Sequence, residues 1–303
     1  MSYLEVKIMK KYLLAILCLS CTEATIPIDT FNDSQDLGVI ENKGQIPEAS
    51  GIVASYRNKG YLWTHNDSGD RNRIFLLDSK GQGTREFNLE GATNRDWEAI
   101  SMAQFPEGSY IYVGEIGDNN AVHPESAIYR VLEPDINATT AQSVTLKGVQ
   151  KITFKYPDGP RDAECFLIDQ VTKDIFIISK RENTKRLYKL PYPQSYTQTT
   201  TVEFVQELNF SNIPGTPSYI TDGNVSVDNK EIIIKNYLQI FHWRRNTDES
   251  IPDALKRTPK MQPYFVEPQG EGICFAQDGS GYYTLSEEGP KKLPVKLYFY
   301  KRK

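Results

Sequence analysis

Five runs of apolar, aromatic and β-branched residues recur along the chain, each closing on polar residues. They are Tyr61-Leu62-Trp63, Tyr110-Ile111-Tyr112-Val113, Asp174 to Ile178, Glu231 to Ile234, and Tyr282-Tyr283-Thr284-Leu285. Their length and makeup predict β-strands. The closing clusters are His65-Asn66-Asp67, Glu115 with Asp118 and Asn119, Lys180-Arg181-Glu182, Lys235-Asn236-Tyr237 and Ser286-Glu287-Glu288. A further strand-like run follows each cluster, near Arg73 to Leu76, Ala127 to Arg130, Arg186 to Lys189, Gln239 to Phe241 and Lys296 to Phe299. Outer strands are predicted at Glu86 to Leu89, Lys151 to Lys155 and Val202 to Leu208. Asp-Gly, Asp-Ser-Gly and Lys-Gly pairs mark hairpin turns. A helical period is confined to Ile251 to Arg257, which predicts one or two turns.

A short segment ahead of each first run also repeats. The five copies are Ile46-Pro47-Glu48-Ala49-Ser50, Asp96-Trp97-Glu98-Ala99-Ile100, Asp162-Ala163-Glu164-Cys165-Phe166, Asp222-Gly223-Asn224-Val225-Ser226 and Gln269-Gly270-Glu271-Gly272-Ile273. Their spacing averages near that of one four-stranded blade, typically ~40–50 residues. The expectation is an all-β, five-bladed β-propeller. The last module stops after its third strand, and Leu37-Gly38-Val39-Ile40 belongs to no module. This N-terminal strand is expected to complete the last sheet and remove two open edges. A sixth blade hidden in the long interval between Glu98 and Glu164 is the alternative. A β-sandwich with accidental repeats is the other.

In a ring of blades the innermost strands face one axis, so a residue repeated once per blade converges there. Glu48, Glu98, Glu164, Asn224 and Glu271 would gather. Carboxylates within ~10 Å of one another repel unless protonated or countered by a cation. Oxygen ligands without His or Cys suit calcium, which takes ~6–8 oxygens in a flexible shell. The alternative role is structural, with each Glu bonding neighbouring strand backbone. Asp96 with Glu98, and Asp162 with Glu164, lie on one face of a strand because side chains alternate.

Composition narrows the rest. The chain has 303 residues, 39% hydrophobic and 24% charged, with a formal charge of −4. A globular core is affordable, and no long basic run invites nucleic acid. Lys10 and Lys11 precede an apolar stretch from Tyr12 to Leu19, too short to span a membrane, as expected of a bacterial export signal. Cys18-Leu19-Ser20-Cys21 resembles a lipobox with Cys18 where Leu is customary, which implies lipid attachment at Cys21. The expected organisation is a signal over 1–21, a linker over 22–36 and the propeller over 37–303. The expected location is the cell envelope, with the protein anchored at Cys21 or secreted. Cys165 and Cys274 sit in apolar runs and are expected as buried thiols, a disulfide being the alternative.

The loops supply candidate chemistry. His65, Asn66, Asp67, Asn119, Lys180, Arg181, Lys235 and Tyr237 are candidate ligand-binding residues, and Glu115, Asp118 and Glu287 are candidate bases. Acids opposite bases on one face would bind a metal-bridged anion. The alternative is that the bases only pair with nearby acids. Ser68 and Ser286 have no identifiable His partner.

Asp96-Trp97-Glu98-Ala99, Gly117-Asp118-Asn119, Asp162-Ala163-Glu164, Gln269-Gly270-Glu271-Gly272 and His65-Asn66-Asp67-Ser68-Gly69 together resemble a group of exported bacterial propellers, over most of 45–300. The Asp-Ala-Glu and Glu-Gly elements are also similar to those of β-propeller phytases. The five-fold Glu pattern is similar to that of the calcium-dependent apyrase. What the resemblance implies is the fold and a channel calcium. Two functions follow as expectations. One is a monomeric surface module binding a small anion, glycan or protein. The other is a calcium-dependent hydrolase of phosphate esters, related esters or lactones.

Overall fold

The computed structural model describes residues 30–41, 45–210 and 218–303. The expected export signal with Cys21, and most of the expected linker, lie outside the described residues. Among the described residues no helix is long and apolar enough to cross a membrane.

In chain order the strands are β1 (Gln35–Val39), β2 (Ala49–Ala54), β3 (Tyr61–Asn66), β4 (Arg73–Asp78) and β5 (Arg85–Leu89). Next come β6 (Trp97–Phe105), β7 (Gly108–Glu115), β8 (Ser126–Leu132), β9 (Ser143–Leu146) and β10 (Gln150–Lys155). They are followed by β11 (Ala163–Ile168), β12 (Ile175–Ser179), β13 (Lys185–Leu190), β14 (Thr200–Thr201) and β15 (Glu203–Leu208). The last are β16 (Ile220–Val225), β17 (Glu231–Asn236), β18 (Ile240–Arg244), helix α1 (Ile251–Lys256), β19 (Lys260–Gln262), β20 (Gly270–Phe275), β21 (Gly281–Ser286) and β22 (Lys296–Lys301).

Five sheets result, headed by β2, β6, β11, β16 and β20. Each head strand packs against the heads of its two neighbours, so the five sheets close into a ring: a five-bladed β-propeller. The fifth blade takes its outer strand from the start of the chain. β1 pairs antiparallel with β22, Gln35 opposite Phe299 and Val39 opposite Lys296, and Phe31 bridges to Arg302. The N-terminal strand therefore closes the ring as the pattern predicted.

No sixth blade occupies the long interval. After the third strand of blade two, the chain crosses back and adds β9, parallel, to the outer edge of blade one. Blade three repeats the detour with β14 on blade two. Blade four does the same with α1, which packs against β15 of blade three; Gln206 Nε2 donates to Pro252 O at 2.8 Å. Each detour covers an edge that would otherwise offer unpaired backbone groups. Ser250 caps α1, its Oγ accepting from Asp253 N at 3.2 Å.

Blades are buried on both faces, which is why their strands read as continuous apolar runs. In β17, Ile232 and Ile234 enter the core against blade three, while Ile233 enters the core against blade five. Period-two alternation thus serves two cores rather than one core and water. Trp63 and Trp97 fill the space between blades one and two. Cys165 and Cys274 are buried free thiols.

Candidate functional site at the channel mouth

All five head strands break register at the same place, just inside their N-terminal ends. The shifts fall between Ala49 and Ile52, Trp97 and Ala99, Ala163 and Cys165, Ile220 and Asp222, and Gly270 and Gly272. A bulge bends the strand and re-aims the extra residue. That residue is Glu98 in blade two, Glu164 in blade three, Thr221 in blade four and Glu271 in blade five. In blade one, Ser50 and Gly51 share the place.

A second recurrence fixes the loop beyond each second strand. Asp67 N donates to Glu48 O at 2.8 Å, Lys180 N to Asp162 O at 2.9 Å, and Glu287 N to Gln269 O at 3.0 Å. Asp67, Lys180 and Glu287 are thus delivered to one rim by one backbone bond. In blade two the corresponding donor is Gly117 N, to Asp96 O at 3.2 Å. A side chain here would push the acids aside: a Cβ would lie 2.5 Å from Asp96 Oδ2 and 2.7 Å from Glu98 Oε1.

The rim gathers acids. Asp67, Asp96 and Glu98 each bring an oxygen within 4.8 Å of the others. Ser50 Oγ lies 3.2 Å from Glu98 Oε2. Across the channel, the buried Lys180 ammonium pairs with Glu164 Oε1 and stands 5.8 Å over the Tyr237 ring. Tyr237 donates its hydroxyl hydrogen to Glu271 Oε1 at 2.8 Å. The other oxygens, Glu164 Oε2 and Glu271 Oε2, are buried without a hydrogen-bond partner. Asp67, Asp96, Glu98, Glu164, Glu271 and Glu287 thus outnumber the nearby ammonium groups of Lys180 and Lys235.

The electrostatics follow from that imbalance. Burial, with Asp67 beside it, pushes Glu98 well above the usual carboxylate range. Burial and the charges of Asp67 and Asp162 carry Asp96 up to about 7. Burial and the charges of Glu271, Asp67 and Glu48 carry Glu287 up to about 8. Asp67 is raised by burial as well.

No protein-family model matches the chain, and no curated protein matches it. Among solved structures, the PQQ-bound form of aldose sugar dehydrogenase from Streptomyces coelicolor is similar, with a TM-score of 0.50 and 10% sequence identity. The alignment covers 89% of this chain and 98% of that one. Hydrazine synthase from Kuenenia stuttgartiensis aligns with a TM-score of 0.44 and 10% identity, covering 86% of this chain and 98% of that one. The first likeness is one of fold. At that identity it carries no cofactor and no chemistry across, and the second likeness supports no argument at all.

The other residues singled out from the sequence are placed around this rim or away from it. Glu48 is exposed and sits one residue ahead of the bulge strand, the place held by Asp96 and Asp162. Asn224 lies deeper, its Oδ1 accepting from Phe275 N at 3.2 Å. Asn66 braces its loop, donating to Gln45 O at 2.7 Å and Asp70 Oδ2 at 2.6 Å. His65 is fully buried against Trp97, and burial lowers it to about 4. Glu115 turns into blade two, accepting from Thr93 Oγ1 at 3.2 Å and Tyr129 OH at 3.4 Å. Asp118 accepts from Val122 N at 3.0 Å and His123 N at 2.8 Å. Asn119 accepts from Arg181, which also pairs with Asp162. Lys235 is buried between Thr221 and Gly270 O, and burial lowers its pKa against the charges of Glu267 and Glu271.

Of the three candidate bases, only Glu287 faces the acid cluster. Ser50 and Thr221 escaped the sequence reading because alignment on acids passes over hydroxyl residues. A cleft of about 620 Å³ lies apart from the rim beside α1, where Arg245 and Asp169 pair at 3.1 Å.

Proposed function

We propose that the channel mouth binds a divalent, oxygen-seeking cation of the calcium type, and that the protein is an exported binding module whose ligand completes the cation's shell. The observation that carries this reading is the Asp67, Asp96 and Glu98 trio with oxygens within 4.8 Å of one another. Calcium–oxygen distances of ~2.3–2.6 Å place neighbouring ligand oxygens within such a span. The buried, unpartnered Glu164 Oε2 and Glu271 Oε2 support it, since unpaired buried carboxylate oxygens are costly. The donor set is oxygen throughout, which fits calcium better than zinc or copper. A bound cation would supply positive charge for an anionic ligand; the chain's part is to hold the carboxylates close and keep bulk water from screening them.

The hydrolase reading keeps one support. Glu287, carried up to about 8, is a carboxyl at the rim able to take a proton near neutral pH. Glu115 and Asp118 spend their oxygens on blade and loop hydrogen bonds, so the binding reading stands ahead. The export signal and Cys21 support placement at the cell envelope, either anchored or secreted.

Calorimetric titration of calcium into chelator-stripped protein tests the proposal, with Asp67→Asn and Glu98→Gln as controls. Saturable binding lost in both variants is expected; no heat from the unsubstituted protein would overturn it. Nitrophenyl phosphate and a lactone, assayed with and without calcium, separate binding from turnover.

A further inference from the structure

Beside the carboxylates, blades three, four and five leave a cleft of about 480 Å³ that cation binding does not use. Its walls carry Tyr219, just ahead of β16, Tyr237 after β17, and Val266 and Pro268 ahead of β20. Lys180 and Arg181 line it too, and Lys180 and Tyr237 join it to the carboxylate rim through Glu164 and Glu271. The Arg181 guanidinium lies 5.4 Å over the half-buried Tyr219 ring, and its side chain is 38% exposed. Val266 is 51% exposed. The polar walls are otherwise spoken for: Tyr237 OH by Glu271, Gln269 Nε2 by Glu287, and Glu267 by Tyr264 and Thr284. Among the described residues the Tyr219 hydroxyl has no hydrogen-bond partner, and Arg181 Nη1 has none either.

What remains on offer is therefore two aromatic faces, an aliphatic shelf and the Nη1 of a guanidinium otherwise held by Asn119 and Asp162, next to a rim rich in carboxylates. Flat rings stack on such tyrosine and guanidinium faces. An anionic oxygen group beyond the ring would meet the cation at the rim and Arg181 along the side. The volume suits a small molecule rather than a chain.

We propose that this cleft seats the ring of a small, flat anion whose charged oxygen group reaches the cation at the channel mouth. The proposal rests on the cation reading above. Phosphate and carboxylate share the required chemistry, so both are tested.

The experiment uses the full chain loaded with calcium, and calorimetry with 1-naphthyl phosphate, 1-naphthoate, inorganic phosphate and acetate. At least one naphthyl anion is expected to bind about tenfold more tightly than its ring-free counterpart. The tighter naphthyl arm identifies the charged group. Tyr219→Ala should erase the preference for a ring while leaving calcium affinity within about twofold. Tyr219→Phe, which keeps the aromatic face, should retain it. Calcium binding without any ring preference overturns the cleft assignment and leaves the cation reading standing. A preference that survives Tyr219→Ala, or is lost equally in Tyr219→Phe, also overturns it. Absence of calcium binding brings down both together.

Discussion

Two buried clusters of charge show how differently the same fold treats a carboxylate. Where blades four and five meet, Glu231 accepts from His242 Nε2 at 2.8 Å and from Arg302 Nη2 at 3.0 Å, with Arg244 at 3.6 Å. Burial raises its pKa, but the His242 hydrogen bond and the nearby charges outweigh burial and hold it below the usual range. At the channel mouth burial is comparable, yet Asp96, Glu98 and Glu287 are all pushed up, because their nearest charges are other acids. Glu133 offers a third case, satisfied by neutral donors alone: Trp63 Nε1 and Arg57 N at 2.9 Å, with Ser55 and Ser109. The fold is therefore able to satisfy a buried carboxylate by either route. At the mouth such partners are too few: Lys180 pairs with Glu164 and Tyr237 with Glu271, while Glu164 Oε2 and Glu271 Oε2 are left without one, and a cation is the partner we propose.

The comparison breaks most visibly on substitution. Glu231→Ala leaves His242, Arg244 and Arg302 facing an emptied site, and should cost about 3–5 kcal/mol in urea unfolding. Glu98→Gln should do the reverse without calcium at pH 8, raising stability by about 1–2 kcal/mol as an uncompensated buried charge is removed. A destabilised Glu98→Gln would mean that Glu98 is already satisfied.

Acidity should separate the clusters next. A carboxyl with a raised folded pKa contributes stability that is complete below its unfolded value and lost as pH rises through the folded one. For Asp96 and Glu287 that window runs from about 4 to about 7 and 8 respectively. Melting temperature in chelator should therefore fall by several degrees between pH 5 and pH 9, and calcium should abolish most of the fall. The lowered Glu231 carboxyl contributes with the opposite sign, its stability being lost only as pH drops below the ordinary carboxylate range.

A smaller effect is expected from Gly117→Ala, whose Cβ must displace Asp96 or Glu98. Calcium affinity should drop about tenfold with a modest change in melting temperature. Glu115→Gln should leave calcium affinity within about twofold, since Glu115 faces Thr93 and Tyr129 instead of the channel.

Much of this fold was legible before any coordinates. Blade count and closure follow from the recurrence of strand-length apolar runs and from the unplaced strand at Leu37 to Ile40, because both faces of every blade must be apolar. β9 and β14 were not legible: Ser143–Leu146 and Thr200–Thr201 are too short and too polar to announce strands, and they form only because a blade edge awaits them. Within the site, alignment on acids placed Glu98, Glu164 and Glu271 at equivalent positions because those bulges carry Glu. It set Glu48 and Asn224 beside them, whereas register puts Ser50 and Thr221 there. Hydroxyl groups fill those two bulges, each bonded to a neighbouring blade: Ser50 to Glu98, Thr221 to Gly270 O at 3.3 Å. Side-chain identity was a poorer guide to register than the hydrogen-bond ladder itself.

The most direct measurement is the calcium isotherm of the chelator-stripped protein at pH 8 and again at pH 5.5. The account predicts saturable binding at pH 8, weakened at least about tenfold at pH 5.5 as protons take the place of the ion on Asp96 and Glu287. A flat titration at pH 8, or an affinity indifferent to pH, would contradict it.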